Sequence, residues 1–229
     1  MTPPSATSAP ATAAPPALEA RELYRFYHIG DDETQALRGV SMQVGPGEIV
    51  AVVGPSGSGK STLLHLLAAL DEPTSGIVRW PALGERETLR PAKISFVFQT
   101  ESLLAPLTVL ENVEVPRLLA GSNADEVRSD ASEILGALHL SALADKLPEE
   151  ISGGQAQRAA VARSLITRPA LILADEPTGQ LDHHTAKHLL NLLLRRIKGS
   201  DTALVIATHD PFVASRMETQ WTIDHGVLR

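Results

Sequence analysis

The sequence of 229 residues lacks cysteine altogether, carries no excess of basic charge and contains no long apolar run. The absence of cysteine excludes a disulfide framework and thiolate chemistry, and it fits a reducing compartment. The formal net charge is −7 and no basic stripe is present, so we expect no nucleic-acid partner. Because no apolar segment approaches the roughly 20 residues of a membrane-spanning helix, we expect any work at a membrane to be done from outside the bilayer.

The first seventeen residues, MTPPSATSAPATAAPPA, contain only proline, alanine, serine and threonine after Met1. This composition predicts a disordered tail over residues 1–17. The tail also lacks the basic start and the apolar middle of a signal peptide. With hydrophobic residues making up 43% of the chain, residues 18–229 can bury a core as one large domain or two small ones.

Beyond the tail, short apolar segments alternate with helical ones, which predicts an α/β fold. Strands are predicted in ALEARELYRFY and ALRGVSMQV, on either side of the turn GDDET, and in GEIVAVVG, SGIVRW, KISFVFQ, ALILAD and TALVIATH. Helices are predicted over Lys60 to Leu70, after ISGGQ and in DHHTAKHLLNLLLRRIKG, and a hairpin in QWTIDHGVLR turning at His225 and Gly226. From Ser102 to Glu150 the period is helical throughout, so a helical insert of about fifty residues interrupts the α/β domain.

A glycine-rich loop, GPSGSGKS, follows a buried strand and opens a helix, as the phosphate-binding G-x-x-x-x-G-K-[ST] motif requires. Its backbone amides would curl around a β-phosphate, Lys60 would reach the β- and γ-phosphates, and Ser61 would bind Mg²⁺. A glycine-rich turn that binds nothing is the alternative, and the strand and helix around the loop disfavour it. The predicted nucleotide-binding residues here are Gly54, Ser56, Gly57, Ser58, Gly59, Lys60, Ser61 and Thr62.

Two adjacent carboxylates, Asp175 and Glu176, end the apolar segment LILADE. Alone, such a pair is typical of a solvated turn. With a phosphate-binding loop in the same sheet, Asp175 is placed to hold Mg²⁺ through a water, and Glu176 to polarise the water that attacks the γ-phosphate.

His209 and Gln99 also follow predicted strands. Parallel α/β sheets collect their ligands at the carboxyl ends of the strands, so His209 could contact the γ-phosphate, although a lone histidine at a strand end is more often structural. The same position would let the Gln99 amide touch both the metal and the attacking water.

Three histidines, His183, His184 and His188, precede or lie in one predicted helix, and two of them share a helical face. A metal site is the obvious alternative to a surface helix. We reject it, because Asp182 is the only nearby residue that could complete the ligand set.

The segment ISGGQ combines a helix start with residues that weaken a helix. Ser152 and Gln155 have the spacing of a capping box, whereas Gly153 and Gly154 each cost roughly 1 kcal/mol against alanine in a helix interior. Glycine permits close approach of an anion to a helix start. One phosphate-binding loop already serves one triphosphate, so we predict that this second helix start contacts a nucleotide held by another copy of the chain, two copies sharing two nucleotides.

In this order and spacing, GPSGSGKS, Gln99, ISGGQ, LILADE, TGQLD and THD resemble the nucleotide-binding subunit of ABC transporters, over Leu18 to Arg229. Within the family, SGIV, FVFQ, LTVLENV and the extended SGGQ and ADEPTG segments are most similar to the lipoprotein-release and macrolide-export (LolD/MacB-like) branch. The sequence departs from the branch in Ile151, in Gln180 and in a short linker, WPALGERETLRPAK. None of the residues needed for hydrolysis is missing.

The resemblance implies an ABC ATPase fold: a P-loop NTPase, RecA-like core with an antiparallel β subdomain and an inserted α-helical subdomain. The core would span 18–99 and 156–229, and the helical subdomain with its signature motif 100–155. It also implies that ATP and Mg²⁺ are bound, with Lys60, Gln99, Glu176 and His209 as catalytic residues and Ser61, Gln99 and Asp175 as metal ligands.

Further roles come from the same resemblance. Tyr27 would stack on adenine, although Tyr24 and Phe26 lie close by in the sequence. Ser152, Gly153, Gly154 and Gln155 would contact the γ-phosphate of ATP on the partner subunit, and Asp182 would lie at the dimer interface. The helical insert would dock onto integral membrane permease subunits, around Leu103 to Val115.

Two functions remain open from the sequence. The chain would be the ATPase subunit of a transporter, acting as a homodimer on the cytoplasmic face of the membrane with separate permease subunits. Alternatively it would be a mechanotransmitting ATPase that regulates a membrane protein without transport, since both use the same engine. A soluble ABC protein acting on DNA or ribosomes is disfavoured by the single short cassette and the acidic charge.

Overall fold

The computed structural model describes residues 14–30, 32–100 and 102–229. Most of the predicted tail, residues 1–13, lies outside the described residues. The packed part of the chain begins before the predicted boundary at Leu18, because Ala17 is only 1% exposed. The carbonyl of Pro16 also accepts a hydrogen bond from the amide of Ala82, at 3.0 Å.

An antiparallel sheet is formed by β1 (Leu18–Ile29), β2 (Asp32–Val44) and β4 (Ser75–Arg79), in the order β2-β1-β4. The connection between β1 and β2 is shorter than the predicted GDDET turn, since pairing continues to Ile29 and Asp32. One face of this sheet contributes Leu18, Leu23 and Leu37 to a buried core.

The central sheet has the order β5-β6-β7-β3-β8-β9. Its strands are β3 (Ile49–Val53), β5 (Ile94–Val97), β6 (Leu171–Asp175), β7 (Ala203–Thr208), β8 (Thr219–Asp224) and β9 (Val227–Leu228). All neighbours pair in parallel except β8 and β9, which form the predicted hairpin. The unbroken apolar runs of β6 and β7 are buried on both faces, as expected for a parallel sheet.

Alternate residues of the central strands feed two cores on opposite faces of the sheet. Val50 and Val52 pack with α1 (Lys60–Leu67) and the antiparallel sheet. Ala51 of the same strand packs on the other side with α4 (Gly153–Leu165), α5 (His183–Ile197) and α6 (Pro211–Ala214). The helix α1 ends at Leu67 rather than at the predicted Leu70, because Ala69 adopts a positive φ of 55°.

The segment 102–150, all of it described, contains helices and no strand, so the predicted helical insert is confirmed. It consists of α2 (Val109–Leu119) and α3 (Ala124–Ala137), followed by short 3-10 turns at Ser141–Leu143 and Pro148–Glu150. Thr108 and Glu111 form a capping box at the start of α2, and Asn123 caps α3. The α/β prediction is therefore confirmed, with the antiparallel sheet and the helical insert as separate layers.

Hydrogen bonds from two side chains, Asn112 and Arg163, hold the loop that leads into the insert. The side chain of Asn112, fully buried, accepts from the amide of Leu104 at 2.7 Å and donates to the carbonyls of Leu104, Leu107 and Thr108. Arg163 of α4 donates to the carbonyl and hydroxyl of Ser102. Within the described part of the chain, no helix has the length and apolar character to cross a membrane.

Candidate functional site

A cleft of about 600 Å³ opens at the carboxyl ends of β3, β6 and β7. The loop after β3, the last residue of β6 and the residue after β7 all face it, because parallel strands end at the same edge of the sheet. Of the residues predicted from the sequence, the cleft brings together Ser56, Gly57, Gly59, Lys60, Ser61, Thr62, Gln99, Asp175, Glu176 and His209. Gly54 and Ser58 belong to the same loop but do not line the cleft: Ser58 is buried, and Gly54 is half-buried against the carbonyl of Ile223.

The phosphate-binding loop is shaped by contacts within the chain. Nζ of Lys60 donates to the carbonyls of Gly54 and Pro55, both at 2.9 Å, so the ammonium group lies across the mouth of the loop. Gly59, the N-cap of α1, has a φ of 107°, and a Cβ there would lie 2.5 Å from the carbonyl oxygen of Ala36. Only glycine fits this position, and it leaves the first amides of α1 without a capping side chain, as an anion site requires.

Asp175 has the environment of a cation ligand. The residue is 4% exposed, and among the described residues its Oδ1 has no hydrogen-bond partner. Burial raises the pKa of this carboxyl, and the Glu176 charge adds to the rise, whereas the Ser61 hydroxyl and the positive charges of His65 and Lys60 oppose it. A buried carboxylate with a free oxygen beside a serine hydroxyl fits a hard divalent cation such as Mg²⁺.

Glu176 is held by the end of β7. Its Oε1 accepts from the amide of His209 at 3.0 Å and from His209 Nδ1 at 2.7 Å, and its Oε2 accepts from the Thr208 hydroxyl at 3.1 Å. The Glu176 side chain is 7% exposed, and the backbone of this residue adopts a positive φ of 45°, which is strained for a non-glycine residue. The amide of Glu176 donates to the carbonyl of Ala207, which anchors the strained residue to the sheet.

The pairing of Glu176 with His209 was not predicted from the sequence, and neither was the role of Thr208. Thr208 and His209 are the last two residues of the segment TALVIATH. Gln99 lines the cleft as predicted, but it follows β5 at a distance of two residues, since the strand ends at Val97.

The outer wall of the cleft consists of residues that carry no sequence motif. β2 contributes Thr34, Gln35, Ala36 and Arg38, and the turn between β8 and β9 contributes His225 and Gly226. The turn is fastened to the phosphate-binding loop, because the amide of Gly226 donates to the carbonyl of Ser58 at 3.0 Å. The carbonyl of Gly226 in turn accepts from the amide of Arg38 at 2.8 Å.

Tyr27 does not line this cleft. Its hydroxyl donates to Asp71 at 3.1 Å, and the Arg25 guanidinium lies 4.6 Å from the centre of its ring. In the sheet it pairs with Thr34, which does line the cleft. Stacking of adenine on Tyr27 therefore remains a prediction.

The ISGGQ segment lies outside the cleft of its own chain. Its capping box is confirmed: the Gln155 amide donates to the Ser152 hydroxyl at 3.3 Å, and the Ser152 amide donates to Gln155 Oε1 at 2.8 Å. A Cβ on Gly154 would lie 3.1 Å from Leu181 Cδ2 and 3.2 Å from the Gln180 carbonyl oxygen, so packing within the chain already favours glycine there.

Two of the histidines that invited a metal site, His183 and His188, make local side-chain contacts. His188 Nε2 donates to the carbonyl of Ala137 at 3.0 Å, and its ring centre lies 4.6 Å from that of His139. The His183 ring lies 5.0 Å from that of Phe212. In the described ranges, no cluster of histidine and acidic side chains has the arrangement of a metal site.

Comparison with known proteins adds independent findings. A family model described as ABC transporter matches residues 37–179. The lipoprotein-releasing system ATP-binding protein LolD of Bordetella pertussis is 45% identical over 221 residues, which cover 93% of this chain and 96% of that protein. The protein of the same name from Legionella pneumophila (strain Paris) is 42% identical, covering 92% of this chain and 96% of its own length.

Solved structures agree. The dimeric post-hydrolysis state of the ATP-binding cassette MJ0796 bound to ADP and Pi has a TM-score of 0.86 and 35% identity, covering 93% of this chain and 96% of that one. A second dimeric structure of MJ0796, a bacterial ABC transporter cassette, has a TM-score of 0.85 and 36% identity, with the same coverage.

The buried Oδ1 of Asp175, which has no partner among the described residues, predicts a stability effect in the nucleotide-free and metal-free protein. Asp175→Asn should raise the melting temperature at pH 7.5 by about 2–4 °C, the shift that ~1 kcal/mol produces in a chain of this length. Because burial raises the Asp175 pKa, the ionised form destabilises the fold, and the gain should shrink as the pH falls through that raised pKa.

Asp182→Asn is the matched control, because hydrogen bonds from Thr185 lower the pKa of Asp182. It should lose stability at neutral pH rather than gain it. Equal melting temperatures for the wild type and Asp175→Asn across pH 4.5–7.5 would show that Asp175 carries no burial cost.

Proposed function

Since the chain belongs to the ABC transporter family, as an ATP-binding and ATP-hydrolysing subunit, we propose that it works as a homodimer that drives a membrane partner in the release of lipoproteins. The observation that carries the hydrolytic part of this proposal is the hydrogen-bonded pair of Glu176 and His209, facing the phosphate-binding loop across one cleft. That pair supplies a base at the γ-phosphate end of a bound nucleotide. The homodimer and the release of lipoproteins are supported by the similarity to the dimeric cassettes and to the LolD proteins. The homodimer, the membrane partner and the roles of individual residues are the parts proposed here.

In the proposed reaction, the loop amides and Lys60 hold the β- and γ-phosphates. Lys60 already lies at the loop mouth and exchanges its two carbonyl partners for phosphate oxygens. Glu176 accepts a proton from the attacking water, and His209 orients the carboxylate through Nδ1 while its exposed ring reaches the γ-phosphate. Gln99 orients the same water from the loop that follows β5, the strand next to β6.

Ser61, Asp175 and Gln99 are the proposed ligands of Mg²⁺, directly or through water. The free oxygen of Asp175 and its oxygen-donor neighbours support this assignment. When bound, the metal would neutralise charge on the β- and γ-phosphates.

A second copy of the chain would complete each site. The start of α4 lies away from the chain's own cleft, and the Ser152 side chain there is exposed. The dimeric MJ0796 cassettes, one of them with ADP and Pi, support a shared site for this chain as well. Asp182, which caps α5 beside Gln180 and Leu181, is the residue we assign to the interface.

Gly153, the first residue of α4, is the position chosen to test the shared site, because Leu181 and the Gln180 carbonyl already constrain Gly154 within its own chain. Gly153→Asp should abolish ATP hydrolysis, because a carboxylate at the helix start repels the partner's γ-phosphate. Binding of ATP to the monomer, measured by titration calorimetry, should stay within about twofold of the wild type.

Gly154→Ala is the comparison, and it should mainly lower the melting temperature through contact with Leu181. A loss of monomer ATP affinity in Gly153→Asp, matching its loss of hydrolysis, would assign the glycine to the chain's own site instead.

Glu176→Gln should lower ATP turnover by at least about 100-fold, within the range of general-base catalysis, and trap the ATP-bound dimer. The measurement is gel filtration with light scattering, in ATP and in ADP. The dimer should appear with ATP only. Glu133→Gln, which removes an exposed carboxylate paired with Arg196, should behave as the wild type. Monomer alone for Glu176→Gln in saturating ATP would contradict a nucleotide-held dimer.

The proposed docking site of the membrane partner is an apolar groove of about 450 Å³ between the central sheet and the helical insert. Its lining includes Leu70, Phe96, Phe98, Val115 and Leu119. Leu119 is 74% exposed, a large apolar surface that water disfavours. The groove overlaps the end of the predicted docking region, Leu103 to Val115, and supports a location at the cytoplasmic face of the membrane.

Leu119→Asp should release the chain from membranes of its host without changing basal ATP hydrolysis. The readout is the fraction that sediments with the membranes. Ile77→Asp is the matched control, since Ile77 is also a large exposed apolar residue, but on β4. Equal sedimentation of the two variants would exclude the groove as the docking site.

A further inference from the structure

A cluster of three rings lies between the nucleotide cleft and the apolar groove. The His65 ring of α1 lies 5.3 Å from that of Phe96 and 6.2 Å from that of Phe98, centre to centre, and the two phenylalanine rings are 4.5 Å apart. All three side chains are half-buried. Together, His65, Phe96 and Phe98 form the ring cluster.

The ring cluster joins two elements that carry proposed metal ligands. Ser61 precedes His65 by one helical turn, so the two side chains lie on the same face of α1. Gln99 directly follows Phe98 in the chain and lines the cleft. His65 is also close enough to Asp175 for its positive charge to lower the pKa of that carboxyl.

The other side of the ring cluster faces away from the nucleotide. Phe96 and Phe98 line the apolar groove, and the carbonyl of Phe98 accepts a hydrogen bond from Gln157 Nε2 of α4 at 3.3 Å. The segment from Phe96 to Gln99 therefore touches the groove, the helix that begins at ISGGQ and the cleft. Its contact with the helix that carries Ser61 runs through the His65 ring.

We propose that His65 is a positioning residue for ATP hydrolysis, whose ring keeps the helix bearing Ser61 in register with the loop bearing Gln99. This inference rests on the proposed metal site. Tilted aromatic pairs have a preferred geometry beyond simple burial, so a ring at position 65 fixes the two elements more tightly than an aliphatic side chain of similar size. A disturbance of the groove at Phe98 reaches the metal ligands through this ring.

The test compares His65→Ala, which removes the ring, with His65→Phe, which keeps a ring in the cluster. His65→Ala should raise the Mg²⁺ concentration for half-maximal ATP hydrolysis about five- to tenfold, the effect expected for loss of an aromatic pair. His65→Phe should restore it to within about twofold. The affinity for ATP in EDTA should not change in either variant, because the phosphate-binding loop is intact. His188→Ala, which breaks a ring contact on α5, should leave the Mg²⁺ requirement as in the wild type.

A second readout needs no turnover. The rise in melting temperature on adding Mg²⁺ to the ATP complex of Glu176→Gln should shrink when His65→Ala is added and recover with His65→Phe. Should His65→Ala prove insoluble, His65→Gln removes the ring with less loss of volume and is held to the same outcome. An unchanged Mg²⁺ requirement, or a His65→Phe variant as impaired as the ring-deleted one, would overturn the proposal.

A double-mutant cycle tests the link to the groove. Phe98→Leu should raise the Mg²⁺ requirement in the wild-type background and have little further effect with His65→Ala, since both act through one contact. Full additivity would overturn the link. If wild-type hydrolysis needs no divalent cation, the proposed metal site itself fails, whereas a Mg²⁺-dependent wild type with an indifferent His65 contradicts the positioning role alone.

Discussion

The parallel pairing of the buried strands is the constraint on which the site depends. In the observed register Asp175 lies opposite Ala207, and Val53 lies opposite Thr208. The phosphate-binding loop, the two carboxylates and His209 therefore leave the sheet at one edge, although 115 residues separate Lys60 from Asp175. A slip of one residue would exchange the side chains between the two cores, so packing on both faces fixes the register and with it the site.

Contacts from distant parts of the chain shape the cleft before any nucleotide binds. The turn at Gly226 is bonded to Ser58, and the Ala36 carbonyl leaves no room for a side chain at position 59. Glu176 keeps a strained backbone because Ala207, Thr208 and His209 hold it. The strained backbone of Glu176 destabilises the fold but holds the carboxylate in place before a nucleotide binds. The buried oxygen of Asp175 that has no partner among the described residues is a second destabilising feature of the cleft.

Much of the fold could be predicted from the sequence, because its signals are local. Each signal spans only a few consecutive residues: the apolar runs of β3, β6 and β7, the capping box at Ser152, and the hairpin at His225 and Gly226. The motif residues of the cleft could be predicted for the same reason, since the residues of each loop and each strand end are contiguous in the sequence. The order of strands in the central sheet is not local, and the sequence did not reveal it.

What escaped prediction depends on contacts across the fold. The bond between Glu176 and His209, the clamp of Gly226 on Ser58, the packing of Gly154 on Leu181 and the ring cluster around His65 join residues far apart in sequence. Gly154 is an example, because its close contact with Leu181 already favours glycine there, and this contact cannot be read from the ISGGQ motif. The burial of Ala17 is a further case, because this residue resembles the tail in composition but packs against the core.

The central claim is that each active site is built from two chains, and complementation between two inactive variants tests it most directly. Lys60→Ala should disable the phosphate-binding loop, and Gly153→Asp should disable the helix start that we propose to face the partner. In mixed dimers one site carries both defects and the other carries none. A mixture of the two proteins should hydrolyse ATP at about a quarter of the wild-type rate, because half of random pairs are mixed and each has one intact site. A mixture no more active than its two separate components would contradict a site shared between chains.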